Sequence, residues 1–186
     1  MIQYAKRTVL LANIILCLIL ALNLLGDVRR MSTKELVKES TAVVAGQCIG
    51  KHCYWDEDRT KIFTKITIRA QEYVKGNLGS EIELTIPGGR VGNILYEVSD
   101  MPLIDEGEEV FLFIWQHPSG KNLITGAFQG KYQIIRDKKT GEKIVPGIHE
   151  EMDQKKPAQP FSVPMQRQSN VLLKDFIQRV KLYVLE

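Results

Sequence analysis

Between Ile62 and Val74 the chain alternates apolar and polar positions with a period of two. Ile62, Ile66, Ile68, Ala70 and Val74 fall on one side, and Lys65, Thr67, Arg69 and Gln71 on the other. That is the signature of a strand with one face buried and one wet. After a turn at Gly76 and Asn77, "SEIELTI" alternates again, with Ile82, Leu84 and Ile86 in phase, so the two runs read as a hairpin. "VFLFIWQ", Val110–Gln116, is apolar on both faces and is expected to be the most buried strand, covered on one side by a helix. "TAVVAGQCI" is a further β-prone run, and "NLITGAF" and "KYQIIR" give shorter ones, followed by a hairpin turn in "DKKTGEK". "KHCYWDEDRT" reads as a polar loop, and "SDMPLIDEGEE" as a solvated acidic loop.

Two segments change period. Ser32 and Glu35 form an S-x-x-E capping box, which starts a short helix with Leu36 and Val37 on its apolar side. At the other end Leu172, Leu173, Phe176, Ile177, Val180, Tyr183 and Val184 recur at three and four, an amphipathic helix with Ser169 as its expected cap and its own sheet as the expected partner. Before it, Pro146–Pro164 holds four of the seven prolines and reads as an extended connection. The pattern divides the chain into 1–30, an N-terminal appendage; 31–146, a barrel; 147–168, a proline-rich connection; and 169–186, the closing helix. Many short strands with Gly and Pro turns predict a mainly β protein, a small Greek-key barrel of the OB type.

The appendage places the protein. Lys6 and Arg7 precede an apolar run from Val9 to Leu25, the order of an export signal or a membrane anchor. The run is at the short end of what spans a bilayer, and Leu24 is large for a signal-peptidase site, so cleavage and anchoring both stay open. Either way the excess of positive charge before the run sends the domain outward. Lys6 and Arg7 also carry two of the three surplus positive charges. The remainder is nearly neutral, which argues against a nucleic-acid partner.

Export leaves Cys48 and Cys53 in the domain, in "CIGKHC". In an oxidising compartment they are candidates for a disulfide, provided that the intervening residues reverse at Gly50. Free thiols are the second reading. The third is a metal site using Cys48, His52 and Cys53 with Asp56 or Asp58, which lacks the second spaced pair that such sites use.

Catalytic patterns are scarce. The three histidines, His52, His117 and His149, share no spacing, and no H-E-x-x-H, G-x-S-x-G, C-x-x-C or Walker A pattern occurs. Carboxylates crowd the stretch Glu97, Asp100, Asp105, Glu106, Glu108 and Glu109. A hydrolase or metal-binding protein built on them is the alternative to a binding module. "IPGGRVG", Ile86–Gly92, resembles a phosphate cradle, but no helix opens after it and its glycines fit neither dinucleotide nor P-loop spacing. It reads as a corner between strands, with Arg90 exposed on the rim. Tyr54 and Trp55, aromatic residues in the expected loop, are the other candidate contacts for a partner, with end-capping of the barrel as the competing role.

Taken in order, "STKELVKESTAVVAGQ", "YWDED", "FTKITIRAQEYVKG", "IPGGRVG", "DEGEEVFLFIW", "GKYQI" and "LKDFIQRV" resemble a group of exported bacterial proteins of unknown function. Their domain is similar to the netrin-like OB domain of tissue inhibitors of metalloproteinases. The resemblance implies a five-stranded barrel with a helix against it. The animal inhibitors enter the protease with an N-terminal Cys-x-Cys, which is missing here, so a protease-inhibitor-like module would lack that wedge. The reading carried forward is a non-catalytic, exported binding domain. It needs no cofactor, its partner is an extracytoplasmic protein, and residues 9–25 hold it to the membrane if they are retained.

Overall fold

The computed structural model describes residues 29–148 and 169–186. The appendage and most of the proline-rich connection lie outside these residues. Five strands close into a barrel: β1 Ala42–Trp55, β2 Ile62–Lys75, β3 Glu81–Pro87, β6 Glu109–Gln116 and β7 Asn122–Ile124. Around the barrel they run β1-β2-β3-β7-β6 and back to β1, every pairing antiparallel except the single parallel bridge Leu84–Asn122 between β3 and β7. Closure leaves the barrel no long free edge. Between β3 and β6 a small hairpin, β4 Gly89–Val91 with β5 Ile94–Tyr96, stands apart as its own two-stranded sheet. β8 Lys131–Arg136, β9 Lys143–Ile148 and β10 Ser169–Leu172 extend outward from β6.

The period-two pattern does what it predicts. Ile62, Ile66 and Ile68 of β2 and Ile82, Leu84 and Ile86 of β3 turn inward and are buried. With Val44, Cys48, Val110, Leu112 and Ile114, all of these but Ile62 fill the barrel. β6 is buried from Val110 to Ile114 because it serves two cores. Its other face, Phe111 and Phe113, meets the two helices, α1 Thr33–Glu39 and α2 Leu173–Val184. There Leu36, Val37, Phe176, Ile177 and Val180 complete a second core outside the barrel. β1 bends between β2 and β6 through three irregularities in its pairing, one of them between Cys48 and Gly50, as bulges at barrel corners do.

The predicted capping box forms. Ser32 Oγ accepts from the Glu35 N–H at 3.2 Å, and Glu35 Oε2 accepts from the Ser32 N–H at 2.9 Å. These backbone and hydroxyl bonds to Ser32, then the Arg29 guanidinium, hold the Glu35 carboxyl below its ordinary pKa. At the other end of α1, Lys75 Nζ donates to the carbonyls of Val37 and Ser40, both at 2.7 Å, filling acceptors that a helix end leaves open. Replacing Ser32 with Ala is expected to lower unfolding free energy by about 1 kcal/mol, the usual cost of losing such a cap, measured by urea denaturation.

Three expectations are corrected. "KHCYW" is not loop: β1 continues through it to Trp55, paired residue for residue with Ile62–Ile66 of β2. The turn is confined to the residues after Trp55, where the Asp56 carboxylate accepts from the N–H groups of Thr60 and Lys61 at 2.7 and 3.0 Å. Ser169 does not cap α2. It lies in β10, whose Val171 and Leu172 pair with Val145 and Ile144, and the helix begins at Leu173. Pro146 does not end the sheet either. β9 runs on to Ile148, with Pro146 and Gly147 taken up by a bulge against β10, where a missing N–H is tolerated. Among the described residues no helix is long and apolar enough to cross a membrane.

The Asp56 turn gives a pH prediction. Its bonds to Lys61 and Thr60 depress the Asp56 pKa, so its contribution is present above the unfolded aspartate value of about 3.9 and is lost as pH falls through the folded value. Protection factors at the Thr60 and Lys61 amides should therefore be high at pH 5 and fall in acid, and Asp56→Ala should leave both amides unprotected at either pH.

Candidate functional site: a groove at the barrel mouth

The loop "IPGGRVG" leaves β3 at Pro87 and folds back across the ends of β1 and β2. Gly88 N–H donates to the Ile62 carbonyl at 2.8 Å, and Thr64 Oγ1 donates to the Gly88 carbonyl at 2.6 Å. Gly89 has φ 139°, and a Cβ there would stand 2.5 Å from Thr64 Oγ1 and 2.8 Å from Cys53 Sγ. Only glycine permits so close an approach in that conformation. The glycines thus seat the β4–β5 hairpin directly on a thiol and a hydroxyl.

What lies between hairpin and barrel is a groove of about 570 Å³. Cys53, Thr64, Ile66 and Ile86 line its barrel side, Arg90, Leu95 and Tyr96 its hairpin side, and Met101 to Ile104 its end. Met101 packs on the barrel core, Pro102 and Ile104 are buried, and Leu103 is 80% exposed. Ile94 and Leu95 on the hairpin are 54% and 49% exposed. A mainly apolar concavity with a few polar groups and an apolar lip has the make-up of a ligand site. Arg90 is exposed and, among the described residues, has no hydrogen-bond or ion-pair partner. Lys51, also on the groove, is held by Asp105 Oδ1 at 2.9 Å, a bond that lowers the Asp105 pKa, first through the hydrogen bond and then through the lysine's charge.

Of the other candidates, Arg90 lies on this groove and Tyr54 does not. Tyr54 occupies the opposite face of β1 from Cys53, as strand alternation requires. It stacks on His52 at 6.4 Å between ring centroids and tilts against Phe63 at 6.2 Å, with Lys121 Nζ 5.9 Å from the Phe63 ring. Trp55 is half-buried at the end of β1, opposite Ile62. The structure therefore splits the expected cluster into an aromatic row outside the barrel and a groove at its mouth.

The disulfide expectation fails. Cys48 and Cys53 are both free thiols on one extended strand. Because that strand rises about 3.3 Å per residue, they stand well beyond the roughly 7 Å between Cα atoms that a bridge tolerates. Cys48 is sealed in the barrel core, where burial raises its thiol pKa. Cys53 opens on the groove, its Sγ 3.3 Å from Thr64 Oγ1. Among the described residues no three His, Cys, Asp or Glu side chains gather as metal ligands would.

The acidic stretch is spread over separate partners. Lys51 bonds Asp105 with its side chain and Glu106 with its backbone N–H at 2.9 Å. Glu108 pairs with Lys131 at 2.6 Å, and Glu109 meets Lys143 at 2.5 Å in an ionic contact without hydrogen-bond geometry. The stretch read as a solvated loop is half interior, because Met101, Pro102 and Ile104 plug the barrel end. A second groove of about 370 Å³ runs between the β8–β9 turn and the start of α2. Its charges largely satisfy one another, through Lys174–Glu142 at 3.4 Å and Lys181–Glu72 at 3.1 Å. No protein-family model matches the chain, and no curated protein matches its sequence.

Proposed function

We propose that the protein is an exported, non-catalytic binding module of the OB type that takes its ligand or partner in the groove beneath the β4–β5 hairpin. The observation that carries the binding reading is the groove itself, apolar inside, rimmed by exposed Ile94, Leu95 and Leu103, with Arg90 beside them, unpaired among the described residues. The strand circuit β1-β2-β3-β7-β6, with β3 and β7 parallel, supports an OB-type barrel. Lys6, Arg7 and the apolar run to Leu25 support export, as signal or anchor.

The aromatic row of Tyr54, His52 and Phe63 with Lys121 favours a second contact surface for a protein partner on the outer face. An inhibitor-like role through an inserted N-terminus has less support. The chain at Arg29–Met31 is tied to the buried Gln129 side chain, which donates to the Arg29 carbonyl at 3.0 Å and accepts from the Met31 N–H at 2.8 Å. The hydrolase reading has little support too, since Asp105, Glu108 and Glu109 are each held by a different lysine, Lys51, Lys131 and Lys143.

Photo-crosslinking in intact cells tests the assignment. A photoreactive residue at position 95 should give a discrete adduct that weakens in the Arg90→Gln background, and a reporter fused after Glu186 should be active outside the cytoplasm. No adduct at 95, with strong adducts at 63, would move the site to the outer face. A reporter active only in the cytoplasm would overturn export.

A further inference from the structure

Resting on that reading, we propose that the groove holds a single-chain amphiphile with a carboxylate head, a long-chain fatty acid, with its head on Arg90 and its chain against Ile66, Ile86, Leu95 and Ile104. The groove supplies two unlike ends. Its depth is hydrocarbon, because Ile66, Ile86 and Ile104 are 1, 6 and 1% exposed and belong to the barrel core. Its mouth carries a cation without a partner among the described residues, while the other cation there, Lys51, is already neutralised by Asp105. Arg90 offers one positive charge to a head group, which matches a monoanion, and the exposed Glu97 carboxylate on the same lining opposes a head of higher negative charge. The planar guanidinium fork fits a carboxylate through two parallel hydrogen bonds. The volume lies within the range of sites that enclose small apolar ligands. Arg90 and Leu95 are register partners across the β4–β5 hairpin, so one short element presents both the charge and part of the apolar wall.

Cys53 is a built-in reporter, since its thiol lines the groove while Cys48 is sealed in the core. The test follows alkylation of Cys53 in the full chain by peptide mass mapping, with dodecanoate, dodecyl phosphate, dodecyltrimethylammonium or acetate added below micellar concentration. Dodecanoate is expected to slow Cys53 alkylation strongly while Cys48 stays unreactive. Acetate and the cation should have little effect. Arg90→Gln should raise the half-protecting dodecanoate concentration about tenfold, the weight of one charge-assisted contact, and Arg90→Lys by less. Equal protection by the cation, or protection untouched by Arg90→Gln, would overturn the proposal. Protection by the phosphate alone would overturn the carboxylate assignment, and alkylation of Cys48 would show surfactant unfolding in place of binding. If dodecanoate fails while position 95 still gives its Arg90-dependent adduct in cells, the ligand class is wrong and the groove remains the site.

Discussion

Phe176→Ala should remove about 3–5 kcal/mol of stability, the range for excising a buried aromatic side chain from a packed core. Phe176 is fully buried on α2 and sits at the centre of the outer core. Its ring centroid lies 5.0 Å from Phe111 and 5.2 Å from Tyr132, and Phe111 in turn meets Phe113 edge-on at 5.5 Å. These tilted and edge-to-face contacts add to the area buried. Marginal domains have only about 5–15 kcal/mol in total, so the variant should show a large fall in urea midpoint. Leu182, 63% exposed six residues further along the same helix, is the control: Leu182→Ala should change stability by under about 1 kcal/mol. Equal effects at the two positions would mean that α2 is not integral to the fold.

The second large effect is expected at the Lys131–Glu108 pair. Its side chains are 17% and 12% exposed, and Lys131 Nζ also donates to the Leu103 carbonyl at 3.0 Å. Lys131 therefore ties the segment ending the groove to β8. Lys131→Met strands a largely buried carboxylate and should cost about 3 kcal/mol, the low end for breaking such a pair because some solvent still reaches it. The double variant Lys131→Met with Glu108→Gln removes the stranded charge and should recover much of that loss, which a double-mutant cycle in urea measures. The single variant should also speed alkylation of Cys53, since the groove's end wall loses its tether. A fully additive cycle would mean that the two residues act independently.

The barrel was legible wherever one face was wet. β2 and β3 announce their buried sides by alternation, and β6, apolar on both faces, announces that it has two neighbours, which proved to be the barrel interior and the helices. The capping box was equally local, needing only Ser32 and Glu35. The groove was not legible, because its walls come from β1, β2, β3, the hairpin and residues 101–104, and no short window contains them. "KHCYWDEDRT" looked like loop because Lys51, His52 and Asp56 are polar. Yet Tyr54 and Trp55 suit a strand, and β2 offers a partner for every residue from Gly50 to Trp55. That extension is what separates Cys48 from Cys53 and places the second thiol on the groove. Arg90 in the glycine corner was one local signal of the site, and the apolar residues Ile94, Leu95 and Leu103, standing outside any alternating run, were another.

"IPGGRVG" resembled a phosphate cradle and folds as a seat for the hairpin, with Gly89 against Cys53 and Thr64. The most direct test of the groove as the binding site uses that contact. Cys53 alkylation by a small membrane-impermeant reagent would be compared in spheroplasts and in the purified full chain after bound molecules have been removed. An occupied extracytoplasmic groove predicts that Cys53 is modified in both, and markedly more slowly in spheroplasts, with Arg90→Gln closing the gap. Equal rates in the two settings would contradict an occupied groove. No modification in spheroplasts of either the wild type or Arg90→Gln, with rapid modification after lysis, would contradict the extracytoplasmic placement.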